Sequence, residues 1–181
     1  MTATPPSSAD GGVDPAAFRG VIARWASGVS VVTAREGEVD WGLTVNALLS
    51  VSLQPPTLLV SLTHDADTTP IILRTKRFVV NVLSAGQRPL SERFALAIPS
   101  PEKFAGVTLH RKGSGPARLE GALAALECEV VQVLPVADHQ LIVGRVVDIE
   151  PGPDGLPLVF YRSRYGEPSG NDSVTLPPAR R

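Results

Sequence analysis

From residue 29 onward, the chain consists mostly of short segments with the composition and two-residue period of β-strands. These segments are VSVVTA, WGLTVNA, VSL, TLLVSLT and RFVVNVL, then the long hairpin LECEVVQVLPVADHQLIVGRVVDIE, and finally LPLVFYR. Consecutive short strands joined by turns close more readily into an antiparallel barrel than into alternating βαβ units. The sequence therefore predicts a mainly β fold with a few helices, built around an antiparallel barrel.

Three segments have the three-to-four-residue period of helices instead. In DPAAFRGVIARWASG, Asp14 is predicted to cap a helix that Pro15 opens. The apolar side chains of this helix fall on one face: Phe18, Val21, Ile22 and Trp25. DTTPIILRT predicts a second short helix, capped by Asp67 or Thr68, and QRPLSERFALA predicts a third.

The length of 181 residues is typical of a single domain. Residues 1–12 and 168–181 are rich in Pro, Ser, Gly and Thr and contain few large apolar side chains. Such segments bury too little surface to offset the entropy lost on ordering. We therefore expect one domain over residues 13–167 between two flexible tails.

Charge and cysteine content narrow the range of partners. The formal net charge is −1, so no strong field attracts nucleic acid or an anionic membrane surface. Cys128 is the single cysteine, which excludes an intrachain disulfide and fits a reducing compartment. No signal-peptide pattern and no run of eighteen apolar residues occurs. We expect a cytoplasmic protein that binds neither nucleic acid nor membrane.

Several motifs of enzymes and metal sites are missing from the sequence. His64, His110 and His139 lack the close spacing of ligands, and neither HExxH nor CxxC occurs, so no metal site is expected. GxGxxG, GxxxxGK[ST] and GxSxG are also absent. A Rossmann or P-loop nucleotide site and a serine hydrolase therefore lack their signatures.

Polar side chains recur at even spacing in GLTVNALLSVSLQPP, residues 42–56. Strand alternation would direct four of them to one face: Thr44, Asn46, Ser50 and Ser52. Short hydroxyl and amide side chains allow a planar heterocycle to approach the backbone while they bind its polar atoms. The other interpretation is the solvent-facing side of an ordinary strand.

Two segments could bind a phosphate. SLTHDADTTP places Ser61, Thr63, Thr68 and Thr69 around a predicted helix start, where unpaired N–H groups attract anions. Arg93 could add a guanidinium, with Phe94 packing beside it. Simple capping, and a solvated arginine next to a core ring, explain the same patterns.

His139 follows an aspartate at the predicted hairpin turn in ADHQLIVGRV. An imidazole there could contact a nicotinamide or handle a proton near neutral pH. An Asp-His pair is also common at surface turns, so the pattern alone leaves both roles open.

The order and spacing of these segments together resemble the flavin reductase-like, FMN-binding split-barrel family. The resemblance runs from Phe18 to Tyr165. It is carried by FRGVIARWASGVSVVTA, GLTVNALLSVSLQPPTLLVSL, RFVVNVLSAGQRPLSERFA, EKFAG, GALAALECEV, DHQLIVGRV and PLVFYRSRY. Members of this family are the reductase components of two-component flavin-dependent monooxygenases.

The resemblance implies a Greek-key split β-barrel that forms a homodimer and binds FMN or FAD near the subunit boundary. It implies that NADH or NADPH reduces the flavin, which passes in reduced form to a partner monooxygenase. Two other activities fit the same fold: a self-contained FMN oxidoreductase that retains its flavin, and a flavin-binding protein that never meets NAD(P)H.

The resemblance also implies specific contacts. The expected flavin-binding positions are Asp40, Trp41, Gly42, Leu43, Thr44, Asn46, Ala47, Ser61, Leu62, Thr63, Asp67, Thr68, Arg93 and Phe94. The expected nicotinamide-binding positions are Phe160, Tyr161, Arg162 and Ser163, with His139 as the catalytic candidate. One departure is Ala66, which stands where family members often carry a serine two residues before the hydroxyl of Thr68.

Overall fold

The computed structural model describes residues 12–168, which contain four α-helices and twelve strands. The helices are α1 Pro15–Ile22, α2 Thr68–Thr75, α3 Arg88–Phe94 and α4 Ser100–Lys103. The strands are β1 Ser27–Gly28, β2 Ser30–Glu36, β3 Val39–Val45, β4 Leu48–Leu53, β5 Pro56–Thr63, β6 Arg77–Val82, β7 Leu109–His110, β8 Arg118–Leu119, β9 Ala124–Val136, β10 His139–Pro151, β11 Val159–Tyr161 and β12 Arg164–Gly166. The mainly β fold with a few helices is thus confirmed. Except for residues 12 and 168, the two predicted tails lie outside the described residues.

The first helix begins as the sequence predicts. The Asp14 carboxylate accepts a hydrogen bond from the backbone N–H of Ala17 at 2.8 Å, and Pro15 occupies the first turn. The helix ends at Ile22, so Trp25 lies beyond it. Its apolar face is largely uncovered by the other described residues, since Phe18 is 60% exposed and Trp25, just beyond the helix, is 76% exposed.

Seven strands form one antiparallel sheet in the order β3-β2-β6-β9-β10-β5-β4. The edge strands β3 and β4 are consecutive in the chain, and only Asn46 and Ala47 separate them. The three Cα–Cα steps between the strand ends reach at most ~11 Å. The edges of a flat seven-stranded sheet lie ~29 Å apart, at ~4.8 Å per neighbouring pair.

The sheet must therefore curl until its edges meet. The backbone N–H of Ser61, on β5, donates to the carbonyl oxygen of Ala47 at 3.1 Å, which extends the β4–β5 pairing into the link. Strand β3 does not pair with β4 or β5 over its length, so the barrel closes incompletely on this side. We call this gap, between residues 43–47 and residues 61–63, the seam.

The barrel interior is filled by aliphatic side chains and one aromatic ring. The fully buried members include Val32, Val60, Phe78, Val80 and Ile142. A close approach at Gly144 belongs to the same packing, because a Cβ atom there would lie 2.6 Å from Cζ of Phe78. In strands β5 and β10, buried apolar residues that point into the barrel alternate with residues that point outward, as the period of two predicts.

A second, smaller core lies outside the barrel. It joins α3 to the short sheet β1-β11-β12 through buried residues that include Val29, Leu83, Phe94 and Leu158. The rings of Phe94 and Phe104 pack edge to face with centroids 4.9 Å apart. This core holds α3 and α4 against β3, beside the seam.

A buried guanidinium ties β8 to the long hairpin. Arg118 is 1% exposed and contacts three carboxylates, those of Glu127, Asp148 and Glu150. The free-energy cost of burying this charge is offset because all three carboxylates are hydrogen-bonded to the guanidinium. Hydrogen bonds from Lys112 and Arg118 lower the pKa of Asp148 to about 2.

None of the helices within residues 12–168 has the length and apolar character needed to cross a membrane.

The pKa of Asp148 predicts a pH dependence of stability. Because the folded pKa lies below the ordinary value of 3.8, this group stabilises the fold above that pH. Its contribution should be lost as the pH falls from about 4 to about 2. We expect Asp148→Asn to reduce the fall in unfolding free energy over this range, measured by urea denaturation at each pH.

The matched control is Asp154→Asn, which changes an exposed carboxylate on the loop after β10. This control should keep the wild-type pH dependence. A steep wild-type dependence that Asp148→Asn leaves unchanged would contradict the assignment.

Candidate functional site

A groove of about 670 Å³ opens along the seam. One wall is formed by residues 43–47 and the opposite wall by residues 61–63 and 65–67. Residues 94–99 and Lys103 close one side, and His139 stands at the rim. The groove therefore lies where the barrel fails to close, between β3, β5 and the starts of α2 and α4.

The link between β3 and β4 shapes the polar wall. Thr44 and Asn46 both line the groove, whereas Ser50 and Ser52 lie on β4 and do not. The prediction of one continuous polar face over residues 42–52 is wrong. The chain leaves β3 after Val45, and β4 pairs at the other edge of the sheet with a register shift between Ser50 and Ser52.

Two side chains on this wall differ in what they offer a ligand. The Thr44 hydroxyl donates to the carbonyl oxygen of Ser91 at 2.6 Å and can still accept a hydrogen bond. The Asn46 side chain is exposed and makes no hydrogen bond within residues 12–168. The groove thus presents a free amide beside an oriented hydroxyl.

The structure places three of the expected flavin positions behind the groove rather than in it. Asp40 forms ion pairs with Arg35 and Arg111, and Trp41 packs against the barrel core. A Cβ atom at Gly42 would lie 2.7 Å from Cε1 of Phe94, so glycine is needed for this packing. These residues support the wall that Leu43 and Thr44 present.

Asp67 lines the groove, yet its carboxylate already accepts three hydrogen bonds. The donors are the backbone N–H and the hydroxyl of Ser100, both at 3.0 Å, and the hydroxyl of Thr68 at 3.2 Å. Thr68 itself is fully buried and does not line the groove. Asp67 therefore ties the start of α2 to the start of α4.

Arg93 and Phe94 are adjacent in α3, but their side chains point to different grooves. Phe94 lines the groove, but Arg93 faces a different surface groove, with Val107 and Glu120. The Arg93 guanidinium donates to the carbonyl oxygen of Ala105 at 2.8 Å. Consecutive helical residues point about 100° apart, which explains why one enters the site and the other does not.

The cation that lines the groove, Lys103, has no distinctive pattern in the sequence. Lys103 is 5% exposed, and its Nζ donates to the carbonyl oxygen of Gly42 at 3.3 Å. It makes no ion pair within residues 12–168. The segment EKFAG carried the resemblance, but its lysine was not singled out. The only available signal was a lysine directly before an aromatic residue, and that pattern is not specific.

His139 lies at the start of β10, opposite Thr63 in the register. Its Nδ1 is 2.7 Å from a carboxylate oxygen of Asp138, and this hydrogen bond lowers the pKa of Asp138. Its Nε2 has no partner within residues 12–168 and belongs to a side chain that lines the groove. The carboxylate orients the ring so that Nε2 can meet a ligand.

The expected nicotinamide positions are only partly brought together. Phe160 and Ser163 line a second groove of about 460 Å³, which shares Asn46, Ala47 and Ser61 with the seam groove. Tyr161 and Arg162 line neither groove, and the Arg162 guanidinium lies over the Tyr161 ring instead. The link at residues 46–47 thus separates two adjoining grooves.

The donor set of the seam groove fits a flavin. Its volume lies within the usual range for small-ligand sites, roughly 300–1,000 Å³. The apolar contacts for a ring system come from Leu43, Phe94, Leu96 and Ile98, and the polar ones from Thr44, Asn46, Ser61 and Thr63. The lining also contains one buried cation, Lys103, and the carboxylates of Asp65 and Asp67.

Comparison with known proteins gives a consistent result. The model of the family described as "flavin reductase like domain" matches residues 22–169. The reductase component of 4-nitrophenol 4-monooxygenase/4-nitrocatechol 2-monooxygenase from Rhodococcus opacus is 40% identical over 85% of this chain and 81% of its own length. The reductase component of 4-hydroxyphenylacetate 3-monooxygenase from Thermus thermophilus is 38% identical over 82% of this chain and 93% of its own length.

A solved structure shows the same architecture. The NADH:FAD oxidoreductase SgcE6 of Streptomyces globisporus C-1027, in complex with NAD and FAD fragments, superimposes with a TM-score of 0.81. It is 30% identical, and the match covers 88% of this chain and 95% of that one. The split-barrel fold implied by the sequence resemblance is thereby confirmed.

Proposed function

This chain belongs to the flavin reductase-like family, and we propose that it uses NADH or NADPH to reduce FMN or FAD for a partner monooxygenase. The observation that carries the proposal is the seam groove, whose shape and donor set fit a flavin. The relatives support it, because two of them are named as reductase components of monooxygenases and another as an NADH-dependent flavin reductase. The unit that performs this function is the single domain of residues 13–167.

The residues of the groove have separate tasks in this activity. The flavin, when bound, supplies the hydride-accepting chemistry, and the protein supplies binding, orientation and exclusion of water. Thr44, Asn46, Ser61 and Thr63 bind the polar atoms of the ring system. The apolar segment 94–99 covers it and keeps water away.

The nicotinamide approaches from the rim where His139 stands. The Asp138 carboxylate holds the imidazole by Nδ1, which leaves Nε2 to contact the incoming cofactor. Phe160 and Ser163 lie in the adjoining groove, which shares Asn46 and Ser61 with the seam groove. We assign this second groove to the nicotinamide nucleotide.

The exposed apolar residues on the outer face of the seven-stranded sheet support a homodimer. The register places Leu49, Leu59 and Val143 side by side on the outer face of the sheet, opposite the buried pair Val60 and Ile142. Exposed apolar residues continue this face or extend from α1: Phe18, Val21, Trp25, Leu49, Val131, Leu134, Val136 and Ile149. A second copy of the chain would cover apolar area that monomeric proteins rarely leave in water.

The chain's single cysteine and its use of NAD(P)H support a cytoplasmic location.

Anaerobic mixing tests the function directly. Protein at a small fraction of the flavin concentration should reduce all of the flavin when NADH or NADPH is added, because the flavin binds and leaves repeatedly. The measurement is the loss of the absorbance of oxidised flavin, run with FMN, FAD and riboflavin. Reduction of one flavin per protein would instead support a flavoprotein that retains its flavin, and unchanged absorbance would support a binding module.

The substitution His139→Ala tests the proposed contact with the nicotinamide. Loss of a hydrogen bond to the nicotinamide should raise the apparent KM for NAD(P)H, or slow hydride transfer, by roughly fivefold. Flavin affinity should stay nearly constant, because His139 lies at the rim. The control is His110→Ala, which removes a histidine bonded to Glu150 far from the groove and should leave the kinetics intact.

Stopped-flow reduction at saturating flavin gives both quantities. A hydride-transfer rate and a nicotinamide Kd that both stay within about twofold of wild type would remove His139 from the site.

If the protein is a homodimer, light scattering should give twice the 19.1 kDa mass of one chain. Leu49→Asp should favour the monomer, because a carboxylate would be buried in the apolar interface. Leu156→Asp alters an exposed leucine outside the strands and should keep the dimeric mass. A wild-type mass of one chain at working concentration contradicts the proposal.

A further inference from the structure

We propose that Tyr165 is a positioning residue for both ligands, although it lines neither groove. Its hydroxyl group fixes the orientation of Thr44 in the flavin groove, and its ring supports Phe160 in the adjoining groove. This inference rests on the proposed function, because it concerns the binding of the same flavin and the same nicotinamide nucleotide.

Two hydrogen bonds connect Tyr165 to the seam groove. The Ser91 hydroxyl donates to the phenolic oxygen of Tyr165 at 3.0 Å, and the Ser91 carbonyl oxygen accepts from the Thr44 hydroxyl at 2.6 Å. Since the Thr44 proton is used in this way, Thr44 presents an acceptor to a ligand in the groove. The direction in which this acceptor points therefore depends on where Ser91 is held.

Tyr165 holds Ser91 in place because the Ser91 hydroxyl is fully buried. Within residues 12–168, the phenolic oxygen is the only hydrogen-bond partner of this hydroxyl. A buried hydroxyl without a partner is costly, so it would turn toward another acceptor and move the part of α3 that carries the Ser91 carbonyl. Tyr165 thus fixes Thr44 without touching the ligand.

The ring of Tyr165 connects the same residue to the second groove. Tyr165 and Phe160 lie opposite each other in the β11–β12 hairpin, and their rings pack edge to face with centroids 5.3 Å apart. Phe160 lines the second groove. The Arg88 guanidinium, on α3, lies 5.6 Å from the centroid of the Tyr165 ring. The ring therefore contacts both α3 and a residue of the groove assigned to the nicotinamide nucleotide.

The turn of this hairpin is strained. Arg162 and Ser163 have φ angles of 50° and 58°, a left-handed conformation that favours glycine. Such a conformation persists only where the surrounding structure holds it. Here the backbone N–H of Arg162 donates to the carbonyl oxygen of Ala23 at 2.7 Å, and Tyr165 ties the following strand to Ser91. The hairpin is thus fixed in one position beside the second groove, which Ser163 lines.

Tyr165→Phe removes the hydroxyl and keeps the ring, so it separates the two roles. Oxidised FMN and FAD should both bind roughly 3–10-fold more weakly, as expected for one lost hydrogen bond, measured by flavin fluorescence without turnover. The Kd of NADH or NADPH, obtained from stopped-flow reduction at saturating flavin, should stay within about twofold of wild type. Tyr165→Leu removes the ring as well and should weaken the binding of both ligands.

A double-mutant cycle tests whether Tyr165 acts through Thr44. Thr44→Val removes the groove hydroxyl, so adding Tyr165→Phe to it should change the flavin affinity little further. Losses that add in full would overturn the inference, because Tyr165 would then act by another route.

The matched control is Thr33→Val. Thr33 lines neither groove, and its buried hydroxyl donates to the carbonyl oxygen of Ala117 at 2.6 Å. Removing this hydroxyl should lower the free energy of unfolding but leave the Kd of both ligands unchanged. The control therefore separates a loss of stability from a loss of positioning.

The outcomes separate the inference from the proposed function. An unchanged flavin Kd in Tyr165→Phe, or equal losses for both ligands in this variant, overturns the role of the hydroxyl while the proposed function stands. A wild-type nicotinamide Kd in Tyr165→Leu overturns the role of the ring. If these variants do not fold, Ser91→Ala breaks the same hydrogen bond and Tyr165→Met removes the same ring, and they are judged in the same way. A wild-type protein that binds no flavin overturns the proposed function and this inference together.

Discussion

The short link Asn46–Ala47 joins the two edges of the seven-stranded sheet, and the rest of the structure depends on it. A link that reaches ~11 Å cannot connect the edges of a flat sheet, so the sheet must curl into a barrel. Strand β3 ends at Val45, directly before this link, and does not pair with β5. The groove is therefore a consequence of how the barrel closes, and the link residues form part of its wall.

Around this seam the charged residues fall into two groups. Most of them hold the fold together: Asp40 with two arginines, Arg118 with three carboxylates, and Asp67 with Ser100. The groove lining has three others: the exposed Asp65, the buried Lys103 and the oriented His139. The site thus combines a mostly uncharged ring-binding wall with one cation, which suits a protein that must bind a flavin and release it.

The period of two and the turn residues were sufficient to predict the strands, the long hairpin and the start of α1. They could not predict which strands become neighbours, because pairing between distant segments leaves no local pattern. For this reason Ser50 and Ser52 were grouped with Thr44, although β4 lies at the other edge of the sheet. Ser61 and Thr63 stand out in the sequence as hydroxyls near a predicted helix start, and in the structure they line the groove from the end of β5.

The positions of Arg93 and Lys103 relative to the groove have a similar cause. Arg93 and Phe94 are adjacent in sequence, yet the helix directs them to different grooves. Lys103 enters the site because α4 packs against β3, a tertiary contact that only the folded chain reveals. The apolar wall at residues 95–99 also escaped detection, since it is an irregular segment without a period.

We assign the seam groove to the flavin ring, and an experimental structure of the flavin-loaded protein tests this assignment most directly. The ring is expected between residues 43–47 and 61–63, with its polar edge near Asn46. A ring bound in the adjoining groove, against Trp25 and Phe160, or anywhere away from the seam would contradict it.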